Sequence, residues 1–119
     1  MTLQECYVKI GGDYNDILHR FMNENMVRKF VLKFPQDNNM ALFEESWAKK
    51  DYETAFRAMH TLKGVAQNLG FGPLYKAAAE VTESLRPSET SSGDMEKAAK
   101  LMPAVDEEYA RTIAAIKEL

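Results

Sequence analysis

The sequence predicts an all-α fold, an antiparallel four-helix bundle with one or two short N-terminal helices covering one end. Three observations carry this. Apolar residues recur at helical spacing through most of the chain, and no alternating, β-branched run of strand length interrupts them. Short clusters of Gly, Pro, Asn and Asp separate the periodic segments, which suits helices that turn back on their neighbours. The 119 residues, 45% of them hydrophobic, supply one core and are too few for two ordinary domains, so residues 1–119 read as one unit.

Each element has its own signals. Thr2 is placed to cap a helix from Leu3 to Ile10, stopped by Gly11 and Gly12, and Asp13 to cap a second that carries Ile17, Leu18, Phe21 and Met22. These pieces, about residues 1–24, read as lid helices. The bundle occupies about residues 25–119. Met26, Val27, Phe30, Val31 and Phe34 form a broad helical stripe that stops before Pro35. A helix begins at Asn38 or Asn39 and carries Leu42, Phe43 and Trp47 to Lys50. Asp51 caps the next, which runs to Leu69 with Gly70 as its left-handed stop. Gly72-Pro73 opens a further helix whose seam is Leu74, Ala78, Val81 and Leu85. The run PSETSSG, 87–93, reads as a flexible loop, after which Asp94 caps the last helix. There Ala98, Met102, Val105, Tyr109, Thr112, Ile116 and Leu119 alternate spacings of four and three, the seam of a helix packed on helices. Pro103 lies within that pattern, and because the apolar phase survives across it a kink is favoured over a new helix.

Composition excludes several function classes. The formal charge is −3, and 15 Lys and Arg are dispersed among 18 acids, so no basic nucleic-acid surface is expected. The single Cys6 allows no intramolecular disulfide and no thiolate metal cluster, which suits a reducing compartment. The N-terminus carries Glu5 and Lys9 where a signal peptide needs an apolar run, and no window approaches the ~20 apolar residues of a membrane span. The expectation is a cytoplasmic monomer that binds no membrane, cofactor or metal. Met1 and the full set of helices favour a stand-alone domain.

His60 is one of two histidines, and a helical wheel gives its direction. With His60 at zero, Val65, Ala58, Leu69, Leu62, Ala55, Ala66 and Met59 fill one arc from roughly 140° to 260° at 100° per residue. His60 lies nearly opposite that arc and faces solvent or a partner. Glu53, Arg57 and Gly64 flank it on one side, and Phe56, Lys63 and Gln67 on the other. Lys63, one turn on, offsets negative charge brought to the ring. Gly64 costs about 1 kcal/mol relative to alanine inside a helix, and a gain from close approach of a partner's backbone accounts for it. Phe56 is a candidate docking anchor, with Arg57 and Gln67 as further partner contacts.

The run from His60 to Gly70, HTLKGVAQNLG, resembles the signature of histidine-containing phosphotransfer (HPt) domains: histidine, lysine and glycine three and four residues on, leucine-glycine nine and ten residues on. The resemblance covers roughly residues 25 to 119 and implies a single HPt-like domain. It implies a four-helix bundle with the histidine exposed midway along one helix. It further implies that His60 accepts a phosphoryl group on Nε2 from a receiver domain's aspartyl phosphate and passes it to another receiver. Lys63 would hold phosphoryl oxygens and Gly64 would make room for docking. Partners are then response-regulator receivers, with a sensor histidine kinase upstream, hybrid kinases included. Family members often carry Glu or Gln 22 residues after the histidine to support the imidazole; here Thr82 stands there, with Glu83 beside it, and both are candidates for that support.

No ATP machinery accompanies the histidine, since Gly11-Gly12 is isolated and no GxxxxGK[ST] occurs. The chain therefore reads as a phosphocarrier, not an enzyme with a complete active site. A hydrolase needs a water-excluded pocket that a surface helix lacks, and His19 has no spaced partner for a metal. The alternative is an adaptor of the same fold that binds receivers or other signalling proteins without being phosphorylated.

Overall fold

The computed structural model describes residues 1–88 and 93–119, so the expected PSETSSG loop falls mainly outside the described residues. The described chain holds seven α-helices: α1 (Leu3–Ile10), α2 (Tyr14–Phe21), α3 (Glu24–Lys33), α4 (Asn39–Ala48), α5 (Tyr52–Asn68), α6 (Gly72–Leu85) and α7 (Met95–Lys117). A 3-10 turn, Phe34–Gln36, follows α3. Successive pairs α4 with α5, α5 with α6 and α6 with α7 pack along their lengths and build the bundle. The helices α1, α2 and α3 cover one end, α1 lying on α7 and α2 on α3.

The start signals act as their chemistry requires. Thr2 and Glu5 form a reciprocal capping box: Thr2 Oγ1 accepts from the Glu5 amide at 3.1 Å, and Glu5 Oε1 accepts from the Thr2 amide at 3.0 Å. Asp13, Asp51 and Asp94 each accept from the amide three residues on, at the starts of α2, α5 and α7. Gly11 and Gly70 stop their helices with φ of 79° and 74°, which side chains disfavour.

The predicted seams are the buried ones. Leu74, Ala78, Val81 and Leu85 of α6 are in the core, and every seam position of α7 is buried or half-buried. The helix α7 runs through Pro103 without a restart. Pro103 and Ala99 are both exposed, so water can bond the carbonyl that loses its donor. Two expectations change. The α3 stripe is narrower than its apolar residues suggested: Val27, Val31 and Phe34 are buried, but Met26 and Phe30 face outward, with Phe30 stacked on Phe21 at 5.2 Å. The cover also holds three helices and not one or two, because α3, which the sequence placed at the start of the bundle, packs chiefly on α2.

The helix α1 does more than cover. Leu3, Cys6, Tyr7 and Ile10 are buried in the common core, and burial pushes the Cys6 thiol and the Tyr7 phenol above their ordinary pKa ranges. Tyr7 reaches across to the end of α5, where its hydroxyl donates to the Leu69 carbonyl at 2.6 Å. Its ring packs on Phe71 and Tyr14, and Phe71 meets Phe34 edge-on at 5.2 Å. Beside it the α1–α2 turn touches the α5–α6 turn directly: a Cβ on Gly12 would stand 2.4 Å from the Gly70 carbonyl oxygen and 2.8 Å from the Tyr7 ring.

Two substitutions test this seam by urea unfolding. Tyr7→Phe should cost about 1–2 kcal/mol, because it leaves the Leu69 carbonyl buried without its donor. Gly12→Ala should cost about 1–3 kcal/mol, because the backbone oxygen facing the new methyl cannot swing aside as a side chain would.

Candidate functional site

The helix α5 presents two faces. Ala55, Ala58, Met59, Leu62, Ala66 and Leu69 are buried, and Val65, at the edge of the same arc, is half-buried. His60, Arg57, Thr61, Gln67 and Asn68 are exposed. The direction read from the wheel is the direction in the fold.

Around the imidazole the contacts are few. Its ring lies 5.9 Å from the ring of Phe56, one turn earlier, at an interplanar angle of 55°. Among the described residues nothing hydrogen-bonds either ring nitrogen. Lys63 is half-buried and, among the described residues, has no carboxylate within ion-pair distance. Arg57 is paired with Glu53 at 2.9 Å on the exposed side of the helix. A Cβ on Gly64 would meet nothing within 4 Å, so the packing of this chain does not require glycine there. The side chain of Gln67 is exposed, while its carbonyl accepts from Arg20 of α2 at 3.1 Å. Arg20 and Tyr7 add donors to carbonyls at the C-terminal end of α5: Tyr7 to Leu69, and Arg20 to Gln67, which also accepts from the Gly70 amide at 3.1 Å.

Of the two residues expected to support the imidazole, Thr82 does not. It is fully buried, and its hydroxyl donates to the Ala78 carbonyl at 2.7 Å, back along its own helix. Its side chain faces the bundle interior. Glu83, the next residue, is exposed on the side of α6 that faces His60's flank, and its carboxyl is held below the usual range. The chief cause is hydrogen bonding from Arg86, with smaller contributions from the charges of Arg86, Lys63 and His60.

Arg86 is the residue that the sequence did not single out. Its Nη2 donates to Glu83 Oε1 at 3.0 Å and its Nε to Oε2 at 3.2 Å, and its guanidinium carbon stands 5.2 Å from the Phe56 ring centroid. The signal was present as a Glu83–Arg86 pair at i, i+3 on an exposed helix end. Phe56 is thus half-buried between α5 and the end of α6, over a groove also lined by Tyr52, Leu85, Pro87 and Met95. On the opposite flank a groove of about 460 Å³ is lined by Phe21, Phe30, Phe34, Val65 and Leu69.

This arrangement can present a nucleophilic nitrogen to an incoming partner, with a cation one turn away and no side chain at Gly64 to obstruct approach. Among the described residues no cluster of three His, Cys, Asp or Glu side chains is placed to hold a metal. No helix among the described residues is long and apolar enough to cross a membrane.

No curated protein and no solved structure matches the chain. The family model described as Hpt domain matches residues 25–115, which span α3 to most of α7 and include the His60 face. The chain therefore belongs to the Hpt domain family, the histidine phosphotransfer modules of phosphorelays, which carry phosphoryl groups without a kinase site of their own and generally work with receiver domains and histidine kinases.

Proposed function

We propose that this protein is a phosphorelay intermediate in which His60 accepts a phosphoryl group from a receiver's aspartyl phosphate and passes it to an aspartate of another receiver. The observation that carries this is the pairing of an exposed His60 with a bare Gly64 whose missing side chain the fold does not need. In acceptance, the Nε2 lone pair attacks phosphorus, the bond from phosphorus to the aspartyl oxygen breaks, and the carboxylate leaves. The Nδ1 proton then passes to water, which the exposure of the ring supplies. The reverse sequence delivers the group onward.

Lys63 offsets part of the roughly two negative charges the phosphoryl group brings to the ring. The receiver supplies its own acidic pocket and metal, so this chain contributes position and charge, which dominate such transfers. Phe56, Arg57 and Gln67 border the approach and contact the receiver. This is chemistry for the cytoplasm, where receivers and kinase output domains meet, and a monomer suffices because the bundle seams are used internally.

A phosphorylated receiver mixed with the protein should yield an acid-labile, alkali-stable phosphate on the chain, and His60→Gln should abolish it. Receiver binding without any phosphate transfer, across a panel of receivers from the same genome, would establish the adaptor alternative instead. Gly64 separates fold from docking. Gly64→Ala should raise stability by about 0.5–1 kcal/mol in urea unfolding, since alanine is the better helix former. Gly64→Gln should keep full helicity by circular dichroism yet weaken receiver affinity; unchanged affinity would remove docking as the reason for this glycine. Thr82→Val should leave transfer rates as they are, because its hydroxyl is spent on Ala78.

A further inference from the structure

We infer that Arg86 is a second positioning cation for the phosphoryl group on His60, parked on Glu83 and the Phe56 ring until that charge arrives. The inference rests on His60 being the phosphoryl acceptor. Three contacts join Arg86 to the site. Its guanidinium is doubly bonded to Glu83, it lies over the Phe56 ring, and the same ring is the nearest aromatic neighbour of the His60 imidazole. Phe56 is therefore a shelf shared by the guanidinium and the imidazole.

The charges around the shelf favour an exchange. On α5 they are Lys63, Arg57 and Glu53, the last two paired with each other; on α6 and its C-cap they are Glu80, Glu83 and Arg86, and Asp94 and Lys97 at the start of α7 line the far side of Arg86. Glu83 is close enough to feel both Lys63 and His60. A dianionic phosphoryl group on Nε2 repels that carboxylate and attracts its guanidinium partner. The Glu83–Arg86 pair is solvent-exposed, with side-chain exposures of 63% and 45%, and such pairs are weak. A guanidinium offers phosphoryl oxygens the same two parallel donors it gives Glu83, and a dianion attracts them more strongly than the single charge of a carboxylate. The aromatic shelf keeps the cation near the site while it changes partners, through attraction to the ring face. Glu83, in place of the absent support from Thr82, then acts on the phosphorylated state through Arg86.

The test needs no receiver. The full chain is treated with phosphoramidate, whose phosphorus is attacked by His60 Nε2 with loss of ammonia, and the second ionisation of the bound phosphoryl group is followed by phosphorus NMR. A nearby cation favours the dianion and lowers that midpoint. Arg86→Gln should raise it by about half a unit, the size expected of an exposed charge pair, and Glu83→Gln should lower it by a similar amount. In the double variant the two effects should fail to add, because the Glu83 substitution acts by releasing Arg86. Arg86→Lys should restore only part of the wild-type value, since it keeps the charge but loses the fork. An unchanged midpoint in Arg86→Gln, or strict additivity in the double variant, overturns the inference while leaving His60 as the acceptor. A chain that takes no phosphoryl group on His60 overturns both. Circular dichroism on each variant checks that the exposed substitutions have left the helices in place.

Discussion

The structure depends on how α5 is held. The helix is packed by α4 on one flank and α6 on the other, and its buried arc is built largely from small or slender side chains: Ala55, Ala58, Met59, Leu62 and Ala66. Three alanines in that arc let neighbouring helices approach closely, and with both flanks engaged only one strip of α5 remains outside. His60 and Gly64 occupy that strip. Rotation of α5 to bury the histidine would expose the leucine and methionine opposite, at a cost of about 1.5–3 kcal/mol for each large apolar side chain. His60 is exposed because the rest of its helix cannot be.

The same constraint explains what the sequence disclosed. The direction of His60 was legible because apolar residues opposite it fall in one arc, and burial of such an arc is the least ambiguous consequence of a helical sequence. The seams of α6 and α7 were legible for the same reason, as were the caps at Thr2, Asp13, Asp51 and Asp94, whose action is local. The role of Tyr7 was not, because it rests on a hydrogen bond to Leu69, 62 residues away, and no periodicity reports a tertiary contact. Thr82 failed for a related reason. Counting from the histidine puts Thr82 on the neighbouring helix but does not say which way it turns, and in the seam of α6 its hydroxyl satisfies itself on Ala78. Met26 and Phe30 misled because α3 packs through Val27 and Val31, leaving half of an apolar stripe outside.

The N-terminal helices bear on the site although they lie far from it in sequence. A helix ends in carbonyls short of intrahelical partners, and at the end of α5 the lid adds donors: Tyr7 of α1 to the Leu69 carbonyl, and Arg20 of α2 to the Gln67 carbonyl, which also accepts from the Gly70 amide at 3.1 Å. The Gly12–Gly70 contact fixes the distance between the two turns. The matched family region starts at residue 25, so these anchors lie outside it. They are this chain's own means of holding the C-terminal end of the helix that carries His60.

On the proposed function the carrier serves two receivers and cannot enclose its phosphoryl group, since each receiver must reach the same atom. Stabilising groups must therefore stand beside the ring and yield when a partner arrives. In that proposed role the two flanks of α5 divide the work. Gly64, with open space where a side chain would be, lies on one flank, while Lys63, Phe56 and the Glu83–Arg86 pair gather on the other. In the proposed relay a receiver has open space to close down over the bare flank. Because the Arg86 pair is exposed and weak, its proposed engagement and release would add little to the barrier in either direction. A buried, fully satisfied cage would hold the phosphoryl group more tightly and hand it on more slowly. Exposure of the charged groups is thus as much a requirement of relay chemistry as exposure of the histidine.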